Sequence, residues 1–92
     1  MSNRYDVNIA GYTLAVKTER SADHMARLCD LLNERVREVQ KSGVTSNYLN
    51  VVMLAAMKLA DEVLELRGRQ DEEKKIIEQK SRDLLDALES AL

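Results

Sequence analysis

The sequence predicts an α+β protein: an N-terminal β-hairpin packed on two helices, the second extended as a C-terminal coiled coil, with a dimeric head. Three observations predict it. Apolar residues alternate with polar ones on both sides of a glycine over residues 5–18. They recur at three- and four-residue steps over residues 21–43. From Val44 to Leu92 there is no proline and a single glycine, Gly68. The corresponding division is a head over residues 1–66 and a coiled-coil extension over residues 67–92.

In the first segment, Tyr5, Val7 and Ile9 alternate with Asp6, Asn8 and Ala10, and Leu14 and Val16 alternate with Thr13, Ala15 and Lys17. A period of two puts the apolar set on one face of each strand. Gly11 lies between the strands, where a tight turn demands positive φ. Two strands alone are unstable in water, so this face needs a cover.

The next segment, SADHMARLCDLLNERVREVQKSG, reads as an amphipathic helix. Ser21 is placed as N-cap, and Asp23 suits the positive end of the helix dipole. Met25, Leu28, Cys29, Leu32, Val36 and Val39 form the apolar stripe. Gly43 is the residue able to turn left-handed at the end.

A second helix starts within VTSN, with Thr45 or Ser46 as the expected N-cap. Run without a break to the last residue, it would span ~70 Å at 1.5 Å per residue, too long for one small globule. Its continuity through Gly68 is open at this stage, because Gly costs ~1 kcal/mol against Ala inside a helix. Acid-before-base pairs at i,i+4 offset this in part: Glu65 with Arg69, Asp71 with Lys75 and Glu78 with Arg82. Residues 67–75 carry no apolar side chain; the stripe returns at Ile77, Leu84, Leu88 and Ala91.

Residues 49–66, LNVVMLAAMKLADEVLEL, are apolar at thirteen of eighteen positions, on every side of a helix. One face can cover the hairpin and first helix. The other, Val52, Ala56, Leu59, Val63 and Leu66, is left over. Leaving several such residues in water makes a patch that monomers rarely show, so a second copy of the chain is the expected cover. The tail, marginal as a lone helix, is expected to pair through Ile77, Leu84 and Leu88. The result is at least a dimer, with a dimer of dimers through the tails as a further step.

Composition narrows the function. The net charge is -2 with a pI near 5.4, which gives no global attraction to nucleic acid. A single cysteine excludes an intrachain disulfide, and no secretory signal or membrane span is read, so a cytoplasmic location is expected. His24 has no second ligand at metal spacing and reads as a surface residue; Cys29 reads as an inert thiol on the apolar stripe. Met53 and Met57 read as core filling. No nucleophile, base and orienting group can be assembled and no phosphate-binding loop is present. The expectation is a non-enzymatic protein with no cofactor and no metal.

VNIAG at 7–11, LAVKT at 14–18, LLNERVREV at 31–39 and VVMLAAMKLADEVLEL at 51–66 together resemble the ZapA family, small bacterial proteins associated with the FtsZ ring in cell division. The resemblance implies heads that dimerise, tails that associate antiparallel into a tetramer, and heads that bind FtsZ filaments so that these are cross-linked and bundled at the division site. Some family members carry a basic residue implicated in filament contact just after the hairpin glycine; here it is Tyr12. Lys58 stands where the family often has Asn. Around the head, Arg4, Lys17, Arg20 and Lys41 are candidate contacts for an acidic filament. Two other classes fit the residues: a coiled-coil adaptor of another assembly, and a small dimeric DNA-binding protein. The second wants a basic strand, whereas residues 5–18 carry only Lys17 as a base and Asp6 as an acid.

Overall fold

The computed structural model describes residues 2–92. Two strands, β1 (Asn3–Ile9) and β2 (Tyr12–Thr18), are followed by two helices, α1 (Ala22–Ser42) and α2 (Tyr48–Ala91). By internal packing the chain divides into one unit ending at Ala60 and another from Asp61 to Leu92.

β1 and β2 pair antiparallel, with Val7 opposite Leu14, Tyr5 opposite Val16 and Ile9 opposite Tyr12. All six apolar residues therefore share one face. The loop is two residues long, and both take positive φ, Ala10 at 54° and Gly11 at 89°. Positive φ at both positions is what a type I′ turn requires, and this turn matches the twist of a hairpin. Gly11 was expected to supply it; Ala10 does so at a cost, because its Cβ crowds the following carbonyl. Asn33 of α1 holds the strained turn. The Ala10 N–H donates to its Oδ1 at 2.8 Å, and its Nδ2 donates to the Asn8 carbonyl at 2.9 Å.

α1 begins and ends where the sequence placed its caps. Ser21 Oγ accepts from the His24 N–H, and Gly43 has φ 66° with its N–H donating to the Gln40 carbonyl. Along the predicted stripe Met25, Val36 and Val39 are buried and Cys29 and Leu32 half-buried. Leu28 departs from the expectation: at the margin of the stripe, it remains exposed.

The cap of α2 is a correction. Neither Thr45 nor Ser46 serves. Asn47 Oδ1 accepts from the Asn50 N–H at 3.1 Å, and Thr45 Oγ1 instead accepts from the Asn47 N–H, one turn earlier. Asn is at least as good an N-cap as Ser and better than Thr, because its carbonyl oxygen reaches the second or third helical N–H.

The helix is unbroken through Gly68. A Cβ built there would meet nothing within 4 Å. Gly68→Ala is therefore expected to stabilise α2, by up to ~1 kcal/mol, seen as higher helicity and melting temperature in circular dichroism. Of the three expected i,i+4 pairs, Glu65–Arg69 forms at 3.9 Å; Asp71–Lys75 and Glu78–Arg82 do not. In their neighbourhood Gln79 Nε2 donates to Asp83. Exposed pairs gain little over water, and the long side chains keep their rotamer freedom.

The core of the first unit is small. Val36 and Val39 of α1 meet Val51 and Ala55 of α2, with Ala10 and Leu54 packed alongside. Val7 and Met25 complete the buried apolar set. Ala55 is fully buried in this cluster.

Candidate functional site

Three surfaces are left without a cover by the chain's own packing. The first is the β2 half of the hairpin's apolar face. β1 lies on α1, but Tyr12 is 62% and Leu14 54% exposed. Tyr12 leans on Tyr48 at the start of α2, with ring centroids 4.4 Å apart and planes at 47°. The second surface is on α2. Val52 and Leu59 are half-buried and Ala56 exposed in the first unit, and Val63 and Leu66 are exposed in the second.

Met53 and Met57 correct the expectation of core filling. They are 56% and 67% exposed, with Leu49 also exposed one turn before them. Their spacing, 49–53–57, is itself a helical stripe and was the signal available. It points away from Val51 and Ala55, which take the inner face. The third surface is the tail, where every residue from 63 to 92 is exposed, Ile77, Leu84 and Leu88 included.

The candidate cationic contacts are all exposed but not all together. Arg4 and Lys17 stand directly opposite one another across the hairpin. Arg20 follows β2; its carbonyl accepts from the Tyr5 hydroxyl at 2.8 Å and its N–H donates to Thr18 Oγ1. Lys41 lies in the last turn of α1.

One ion-pair cluster ties α1 to α2. Glu38 accepts from Arg35 of its own helix and from Lys58 of α2, each at 3.1 Å. The Lys58 hydrogen bond is the main cause holding the Glu38 carboxyl below its ordinary value of 4.5. Partial burial pushes the other way, and the Arg35 guanidinium adds to the lowering. The carboxyl is lowered in the folded chain, so its stabilising contribution is complete above pH 4.5 and is lost as pH falls through the folded value. Glu38→Gln is expected to flatten the dependence of thermal stability on pH below ~5 while leaving the rest of the acid limb intact.

Chemistry-bearing residues do not converge. His24 is exposed, and among the described residues no group of three His, Cys, Asp or Glu side chains could hold a metal ion. Cys29 is a half-buried free thiol on α1. No helix of the described residues is long and apolar enough to cross a membrane.

The architecture is a hairpin, an amphipathic helix and a long helix with unpaired apolar faces. A family model described as cell division protein ZapA matches residues 5–91, from the first strand to the last turn of α2. The chain belongs to the ZapA family. A comparison with curated proteins found no match. ZapA membership makes this a cell-division protein of a non-enzymatic family. The match covers the tail as well as the head.

Proposed function

We propose that this protein self-associates through its head and tail, and binds, cross-links and bundles FtsZ filaments in the cytoplasm at the division site, promoting assembly and stability of the Z-ring. The observation that carries the reading is the family match over both the head and the tail. The exposed apolar surfaces support self-association. In the unit ending at Ala60, large hydrophobic side chains left exposed outnumber those that are buried. Fully burying a Val, Leu, Phe or Met contributes ~1.5–3 kcal/mol, so a second copy that covers Leu14, Met53 and Met57, with Val52, Ala56 and Leu59, stabilises a head whose own core is small.

Self-association turns a weak contact into a cross-link. A filament repeats its binding surface, so once one head is bound the next binds at high effective concentration. Arg4, Tyr12, Lys17, Arg20 and Lys41 are the contact residues of this reading. Val63, Leu66, Ile77, Leu84 and Leu88 are the tail's share of self-association.

Co-sedimentation of the purified protein with FtsZ and GTP tests the proposal. The protein is expected in the pellet with polymer and in the supernatant without GTP. Exposed charge contacts are screened within about 8 Å at 0.15 M salt, so bundling is expected to weaken from 50 to 500 mM salt while the apolar dimer persists in sedimentation velocity. A protein that stays in the supernatant at low salt would leave the adaptor reading, with another client, in its place.

A further inference from the structure

Every side chain on the outward face of the hairpin is exposed: Arg4, Asp6 and Asn8 on β1, and Thr13, Ala15 and Lys17 on β2. The register sets Arg4 directly opposite Lys17. Directly opposed residues have Cβ atoms ~4.5–5.5 Å apart, and like charges there are destabilising. An acid at either position would have made a favourable pair. Neither cation forms an ion pair among the described residues, although Arg27, Arg35 and Lys58 all do. Asp6, two residues along on the same face, stands opposite Ala15.

Arg37 and Lys41 are also neighbouring cations, one turn apart on α1. For Lys41 that placement has a structural reason, because positive charge in the last turn of a helix interacts favourably with the dipole. The Arg4–Lys17 pair has none in the fold, and a hairpin supplies no net dipole to offset it.

We infer that the opposed Arg4 and Lys17 form a docking site for an extended acidic protein segment, whose carboxylates lie between and beside the two cations. The inference rests on the filament-binding reading and narrows it to one face and one partner chemistry. Arg supplies a planar fork for bidentate carboxylate binding, and Lys a mobile point charge. Removing the repulsion between the two cations adds to the gain on binding. Nucleic acid fits less well. Duplex DNA carries a charge every ~1.7 Å and favours longer cationic tracks, whereas this face offers two cations, an aspartate and no aromatic ring. The whole chain is moreover net negative.

Two variants test it in the full-length protein. Arg4→Gln/Lys17→Gln removes both charges, and Arg4→Glu alone replaces the repulsion by a cross-strand pair. Both are expected to melt at or above the wild-type temperature and to lose about tenfold or more in affinity for FtsZ polymer. Wild-type protein that binds polymer, with both variants binding equally well, overturns the inference and leaves the filament reading standing. A greater loss in Arg37→Gln/Lys41→Gln than in the hairpin variants also overturns it. A second measurement is independent of FtsZ: titration of the isotopically labelled chain with a hexaglutamate peptide, read by NMR. Shifts centred on Arg4 and Lys17 that vanish in the double variant support the site. No shift there, or binding through these residues to duplex DNA or phosphatidylserine vesicles but not to hexaglutamate, rejects the acidic protein segment as its partner.

Discussion

Val36→Asp is expected to abolish the fold of the unit that ends at Ala60. Val36 is 2% exposed and meets Val39, Val51 and Ala55 where α1 and α2 come together. The change forfeits ~1.5–3 kcal/mol of apolar burial. It also places a carboxyl among aliphatic side chains, with no buried polar group among the described residues to receive it. An unpaired buried carboxylate either remains charged at a cost of several kcal/mol or takes up a proton, and the raised pKa is then the penalty. Small domains have only ~5–15 kcal/mol to lose, and one with so small a core lies at the lower end. Val36→Ala separates this from a general weakening: deletion of the methyls is expected to cost about 1–3 kcal/mol and to lower the melting temperature with the fold retained. Circular dichroism melts and the dispersion of amide resonances read both. Val36→Asp melting within a few degrees of wild type would show that the contact of the two helices does not hold the head.

The elements of this fold were legible because each carries a local rule. Alternation about Gly11, the Ser21 cap with its stripe, and Gly43 at the helix end all specify geometry within a few residues, and each was found in place. Where the reading failed, two local solutions competed or a long-range contact decided. Thr45, Ser46 and Asn47 can all cap a helix. The choice fell to Asn47, with Thr45 accepting from the N–H of Asn47 in the turn before it, and no local pattern distinguishes those offsets. The positive φ of Ala10 is held by Asn33, 23 residues away, a contact no period reveals. Met53 and Met57 were assigned to the core because a helix apolar all round has no evident inside. The direction is that of Val51 and Ala55, which are buried with Val36 and Val39 of α1. The opposed cations were equally hidden. Arg4 lies outside the stretch 5–18 where alternation is plain, and its partner depends on the hairpin register.

Leu84→Asp with Leu88→Asp is expected to separate filament binding from bundling. Both leucines are more than half exposed on α2, on the stripe that includes Ile77. A helical segment with no buried side chain gains little from packing on its own chain, and in proteins most helical stability comes from packing of an apolar face. On the proposed reading, pairing with another copy is what makes the tail a defined rod. Charges at two seam positions exchange apolar contact for desolvated carboxylates, a loss of several kcal/mol per paired tail. Sedimentation equilibrium should then report a smaller assembly, and circular dichroism a drop in helicity. Because the head is untouched, its contact with the filament persists, so high-speed pelleting with FtsZ polymer should retain the protein at reduced apparent affinity. Low-speed pelleting and light scattering, which report bundles, should fall to the level of FtsZ alone. The two readouts separate because binding needs one head whereas a cross-link needs two heads joined rigidly enough to span neighbouring filaments. If bundling persisted while the assembly shrank, the cross-link would have to lie in the head, and the tail would be dispensable for it.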